Sequence, residues 1–110
     1  MIIDIRTPED LSALLSEEDA LLIYFSTASC NVCKVLKPQV ETLITDSFPN
    51  MKMVFVDSEQ FPELAASFRV FVAPTVLVFL AGKEYLRKSR AFGLNELKNE
   101  ILRPYSLMFG

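Results

Sequence analysis

The chain has 110 residues, 51% hydrophobic and 23% charged, with three glycines, no histidine and a formal net charge of −3. That length suits a single domain over residues 1–110, able to bury about two-thirds of its unfolded surface, and the composition excludes a disordered or collagen-like chain. The acidic balance gives no electrostatic reason to expect nucleic acid or an anionic membrane as partner, and no stretch is long enough to span a bilayer.

In chain order, Ile2 to Ile5 is a short apolar strand. Thr7-Pro8-Glu9-Asp10 then opens a helix, with a capping hydroxyl, proline at the first helical position and acids in the first turn. Leu11, Leu14 and Leu15 share one face of it. Ala20 to Phe25 is a continuous, bounded apolar run, the pattern of a strand covered on both faces. Past Cys30 and Cys33, a helix is marked by Val32, Leu36, Val40 and Leu43 at helical spacing, with Val35 and Ile44 beside them. Pro38 lies inside it and predicts a kink about one turn beyond Cys33.

Met51 to Val56 reads as a third strand. Pro62 opens a helix whose Phe61, Leu64, Ala65 and Phe68 fit a core-facing stripe, and Val76 to Leu80 is a fourth strand. Ala81-Gly82-Lys83-Glu84 is a hairpin turn leading to a return strand, Tyr85 to Ala91. Leu94, Leu97, Ile101 and Leu102 line a last helix that Pro104 is expected to stop, leaving an apolar tail, 104–110, beyond a core of about residues 2–103. Packing of that tail back on the domain is the first expectation, and a weak homodimer through it the second, against a monomer. Arg87, Lys88 and Arg90 read as charges that protect an exposed edge strand.

The order βαβαβα followed by ββα implies an α/β fold with a mixed central sheet and helices on both faces: parallel strands joined by right-handed crossovers, then an antiparallel hairpin on one side. The only two cysteines, Cys30 and Cys33, then fall where the second strand gives way to a helix, at the carboxyl end of the sheet. Two cysteines three apart can reach disulfide geometry, and the first meets the helix dipole and free N–H groups that stabilise a thiolate. Two sulfurs without histidine cannot fill a zinc site within one chain, though a symmetric dimer could supply four. No metal and no cofactor is called for. The N-terminus has an acid at position 4, no long apolar run and no small-residue cleavage site, so a cytoplasmic location is expected, where a disulfide is seldom structural. A redox dithiol is the leading reading.

An apolar strand, Cys30-Asn31-Val32-Cys33-Lys34, Pro38 five residues after the second cysteine, Val72-Ala73-Pro74-Thr75 before another apolar strand and Gly93 ahead of the last helix together resemble the thioredoxin family, over residues 2 to about 103. The resemblance implies a thioredoxin-like fold and thiol–disulfide exchange with a disulfide-containing or thiol protein as substrate and a reductase as possible electron donor. It makes Cys30 the attacking thiolate, Cys33 the resolving thiol and Pro74 a cis-proline against the dithiol. Ala73, Pro74 and Thr75 then form the substrate-binding segment, with the Ala73 backbone pairing with an extended substrate.

Five positions depart from the family's pattern. Ser29 stands where its reductases usually carry tryptophan, and Asn31-Val32 replaces Gly-Pro. The family's buried acid aligns with Tyr24 and its buried lysine with Phe55, so deprotonation of Cys33 relies on water or another group, and both residues read most simply as core. Two functions stay open: a protein-disulfide oxidoreductase working in the reducing direction, and a binding or adaptor module that holds a partner at the Pro74 surface, its cysteines at most a redox sensor.

Overall fold

The computed structural model describes residues 2–90 and 92–110, without the side chain of Ile2. The elements run β1 (Ile2–Asp4), α1 (Pro8–Glu17), β2 (Ala20–Ser26), α2 (Asn31–Ser47), β3 (Lys52–Asp57), α3 (Pro62–Ser67), β4 (Thr75–Leu80), β5 (Lys83–Ser89) and α4 (Leu94–Phe109). The five strands form one sheet in the order β1-β3-β2-β4-β5, parallel across β1, β3 and β2 and antiparallel across β2-β4 and β4-β5. This is the mixed sheet with a terminal hairpin that the pattern implies. The end of the return strand at Ala91 lies outside the described residues.

Side chains alternate along each strand, so each central strand feeds two cores. Leu22, Tyr24, Met53, Val76 and Val78 face α2 and α4. Leu21, Ile23, Phe25, Val54, Val56, Leu77 and Phe79 face α1 and α3. Every residue of β2 is buried, which is why its sequence shows no polar alternation. Local chemistry sets the joints. Thr7 caps α1 through a reciprocal box in which Asp10 N–H donates to the Thr7 hydroxyl (3.3 Å) and the Asp10 carboxylate accepts from Thr7 N–H (3.1 Å). The backbone N–H bonds of Arg6 and Thr7 hold the Asp10 carboxyl below its ordinary value. The hairpin turn is narrower than expected: Ala81 (φ 54°) and Gly82 (φ 79°) carry it, and Lys83 and Glu84 already belong to β5.

Three expectations are corrected. Val32 and Val35 are 61% and 65% exposed; the inward face of α2 is Cys33, Val40 and Ile44, with Leu36 and Leu43 at its border. Leu102 is likewise exposed on α4. Pro104 does not stop α4, which runs to Phe109, so residues 104–110 are not a tail. Proline removes its own N–H bond and crowds the turn before it. Here packing offsets that cost: the Tyr105 ring meets Phe48 at 4.9 Å and Phe109 at 4.7 Å, and its hydroxyl accepts the Asn50 N–H at 2.8 Å. Pro38 also lies inside an uninterrupted helix.

Candidate active site

β2 is the central strand of the sheet, buried on both sides, and its carboxyl end releases the chain into Thr27-Ala28-Ser29 and then α2. Cys30 is the residue that caps α2. Its sulfur accepts the Cys33 N–H at 3.1 Å, one of the N–H groups a helix start leaves without an intrahelical partner. Cys30 and Cys33 are joined by a disulfide, with Cα atoms 5.3 Å apart, so the chain is in its oxidised form. Their surroundings differ. Cys33 is only 2% exposed, inside the α2–α4 core, whereas Cys30 is half-buried at its edge.

The Ala73–Pro74 bond is cis. Ala73 packs at the border of the same core as Cys30, which brings the second candidate segment to the dithiol end of the sheet. Pro74 is buried and its carbonyl accepts the Arg90 N–H at 2.8 Å. Thr75 begins β4 and is buried. Its hydroxyl donates to the Val72 carbonyl at 2.7 Å, closing the turn that carries Pro74, so Thr75 fixes the loop from within rather than offering a group at the surface.

Three features of the site were not legible as such. Ala28 N–H donates to Glu59 Oε1 at 3.0 Å, tying the loop before Cys30 to the segment after β3. The Tyr24 hydroxyl donates to the Cys33 carbonyl at 2.8 Å. Lys37 places its ammonium 3.7 Å from the centre of the Phe55 ring. A tyrosine inside a strand covered on both faces must find a partner for its hydroxyl, and that signal was available; the Glu59 contact, 31 residues away in sequence, left none.

Burial pushes the Tyr24 hydroxyl up to about 12. At neutral pH it is therefore a donor and no base. A phenol whose folded value is raised keeps its full contribution to stability below its unfolded value near ~10 and loses it as pH rises through the folded one. Tyr24→Phe is expected to cost about 1 kcal/mol at pH 7 through the lost hydrogen bond. The gap to wild type should then close between pH 10 and 12, as urea melts across that range would show; a gap constant with pH would contradict the assignment.

The basic residues of β5 are largely spent on internal contacts. Lys88 pairs with Glu96 and with Glu100 (2.9 Å), raising the lysine and lowering Glu96 from their ordinary values. Arg87 binds Glu84 and the carbonyls of Phe68 and Arg69. Among the described residues, no helix is long and apolar enough to cross a membrane.

A family model described as Thioredoxin matches residues 4–103. The thioredoxin-like protein YdfQ of Bacillus subtilis is 35% identical over 88 residues, 80% of this chain and 78% of that protein. A thioredoxin of Mycoplasma genitalium is 29% identical over 84% of this chain and 87% of its own length. Among solved structures, the thioredoxin of Fasciola hepatica superposes with a TM-score of 0.82 at 30% identity, covering 92% of this chain and 97% of that one. A thioredoxin from Halobacterium salinarum, at 23% identity and a TM-score of 0.83, shares the fold.

Proposed function

The chain belongs to the thioredoxin family, whose members are thiol–disulfide oxidoreductases, and from that premise we propose that it is a protein-disulfide reductase using Cys30 and Cys33 in turn. The observation that carries the reading is the asymmetry of the pair: Cys30 caps a helix at the edge of the core, and Cys33 is enclosed within it. Helix N–H groups and the positive end of the dipole favour a thiolate at Cys30, and no histidine is present to share that task.

In the reducing direction the Cys30 thiolate attacks one sulfur of a substrate disulfide. A Cys30–substrate bond forms, the substrate bond breaks, and its other sulfur leaves as a thiolate. Cys33 then loses its proton to water and attacks the Cys30 sulfur. The Cys30–Cys33 bond forms, the Cys30–substrate bond breaks, and the second substrate sulfur leaves with the electron pair. Two electrons have passed from the dithiol to the substrate, and an external dithiol or a reductase restores the reduced pair.

The segment Ala73-Pro74-Thr75 is the proposed substrate contact, through the backbone of Ala73, with Thr75 in support. A disulfide-bearing protein is the proposed substrate and the cytoplasm the proposed location. The departures from the family's usual residues, Ser29 and Asn31-Val32, favour a specialised partner. The test is reduction of a model protein disulfide with dithiothreitol as donor. Wild type should turn over many equivalents and Cys30→Ser should fall to the uncatalysed rate; binding of the substrate without turnover would replace this reading with the adaptor one.

A further inference from the structure

Three side chains from three elements form a chain of contacts that begins at the backbone of the enclosed cysteine. The Tyr24 hydroxyl donates to the Cys33 carbonyl, the Tyr24 ring lies 6.4 Å from that of Phe55 at 23°, and the Lys37 ammonium sits 3.7 Å from the Phe55 centroid. Lys37 is four residues beyond Cys33 on α2, so the two share a helix face with their β-carbons about 5–6 Å apart. A lysine stem on a helix surface normally takes its ammonium to water. Here an aromatic face holds it, half-buried, beside the core.

The charges that other elements bring near this chain of contacts are committed to partners of their own. Asp57, at the end of β3, accepts the N–H groups of Glu59 and Gln60, and Glu59 accepts that of Ala28. On α4 and β5, Glu96 and Glu100 both pair with Lys88. On α2 itself Lys34 and Glu41 lie one turn from Cys30 and from Lys37 respectively, and Tyr24 is neutral. Neither strand facing Cys33 supplies a carboxylate at the paired positions Tyr24 and Phe55.

We propose that Lys37, held over Phe55, is a positioning cation for the resolving thiol: once the disulfide is open, its charge favours the Cys33 thiolate, so that Cys33 can release its proton to water without a base. The inference rests on the dithiol reading above. The Cys33 proton goes to water, and the bonds made and broken are those of the exchange already described. This deepens the site from two cysteines to a cysteine with a fixed counter-charge, carried by a strand residue that neither touches the substrate nor titrates.

The experiment is a pH titration of the reduced protein carrying cysteine labelled with carbon-13 at Cβ, in which NMR reads the two thiols separately. Lys37→Gln is expected to raise the Cys33 midpoint by about one pH unit, with Cys30 moving by less than half as much. Lys37→Arg should hold Cys33 within about 0.3 of wild type, and Phe55→Leu, which leaves the ammonium but removes its seat, should fall between. Lys37→Met supplies a second neutral variant should the glutamine protein not fold. An unmoved Cys33 midpoint in the neutral variants would overturn the proposal, as would a shift of Cys30 equal to or larger than that of Cys33. The titration requires no substrate, so its failure leaves the reductase reading standing, and failure of turnover leaves the titration interpretable.

Discussion

Cys33→Ser is expected to arrest the protein as a covalent adduct of its substrate through Cys30, with steady-state disulfide reduction falling by at least about a hundredfold. The reason is the division of labour between a reachable sulfur and an enclosed one. Cys30 keeps its place at the start of α2, with the helix N–H groups that favour its thiolate, so the first exchange proceeds. The second step in wild type is intramolecular, from a sulfur whose backbone lies 5.3 Å away, Cα to Cα, and the variant must await an external thiol instead. Mass spectrometry should find one equivalent of substrate or glutathione, mapped to Cys30. Cys30→Ser should form no such adduct, because the remaining thiol is shielded. Equal trapping by both variants would remove the asymmetry on which the mechanism depends.

The second large effect is on stability. Deleting residues 105–110 is expected to cost about 3–5 kcal/mol, the range for losing a buried aromatic, with no change in oligomeric mass. The segment is the last part of α4, and Tyr105 anchors it through Phe48, Phe109 and the Asn50 N–H. Tyr105→Ala should by itself cost most of that amount and Tyr105→Phe only about 1 kcal/mol. Leu107, 78% exposed, marks the outer face, where Leu107→Ser should be close to neutral. A loss under about 1 kcal/mol on truncation, or a drop in assembly mass, would instead make the segment an interface.

How far the chain could be read from its residues follows from which forces were local. The inner strands were legible because burial on two faces leaves an unbroken apolar run, as in Ala20–Phe25, all of it enclosed in β2. The dithiol was legible because a cysteine at a helix start and another three residues on are both local features. Two readings failed where a local rule met tertiary packing. Pro104 looked like a stop, yet Tyr105 and Phe109 hold the helix past it. Val32 and Val35 shared helical spacing with apolar neighbours, but the buried stripe of α2 is centred on Cys33, Val40 and Ile44, and about 100° per residue carries 32 and 35 off it.

The same distinction runs through the site. Tyr24 and Phe55 read as plain core residues, and both do pack in or against it. What the pattern could not give was their adjacency: Tyr24 pairs with Phe55 across β2 and β3, and α2 then lays Lys37 over the second ring. That juxtaposition is made by the parallel register, more than 30 residues of chain apart, and so is invisible to spacing alone.

The most direct measurement of the central claim is the equilibrium between the Cys30–Cys33 disulfide and its dithiol, titrated against glutathione and dithiothreitol buffers with mass spectrometry to count thiols. A reductase requires one two-electron transition with a potential at or below about −230 mV, able to reduce substrates at a cytosolic poise. A potential above roughly −180 mV would mark an oxidant or isomerase, and a pair that never closes its disulfide in any buffer would contradict dithiol chemistry altogether.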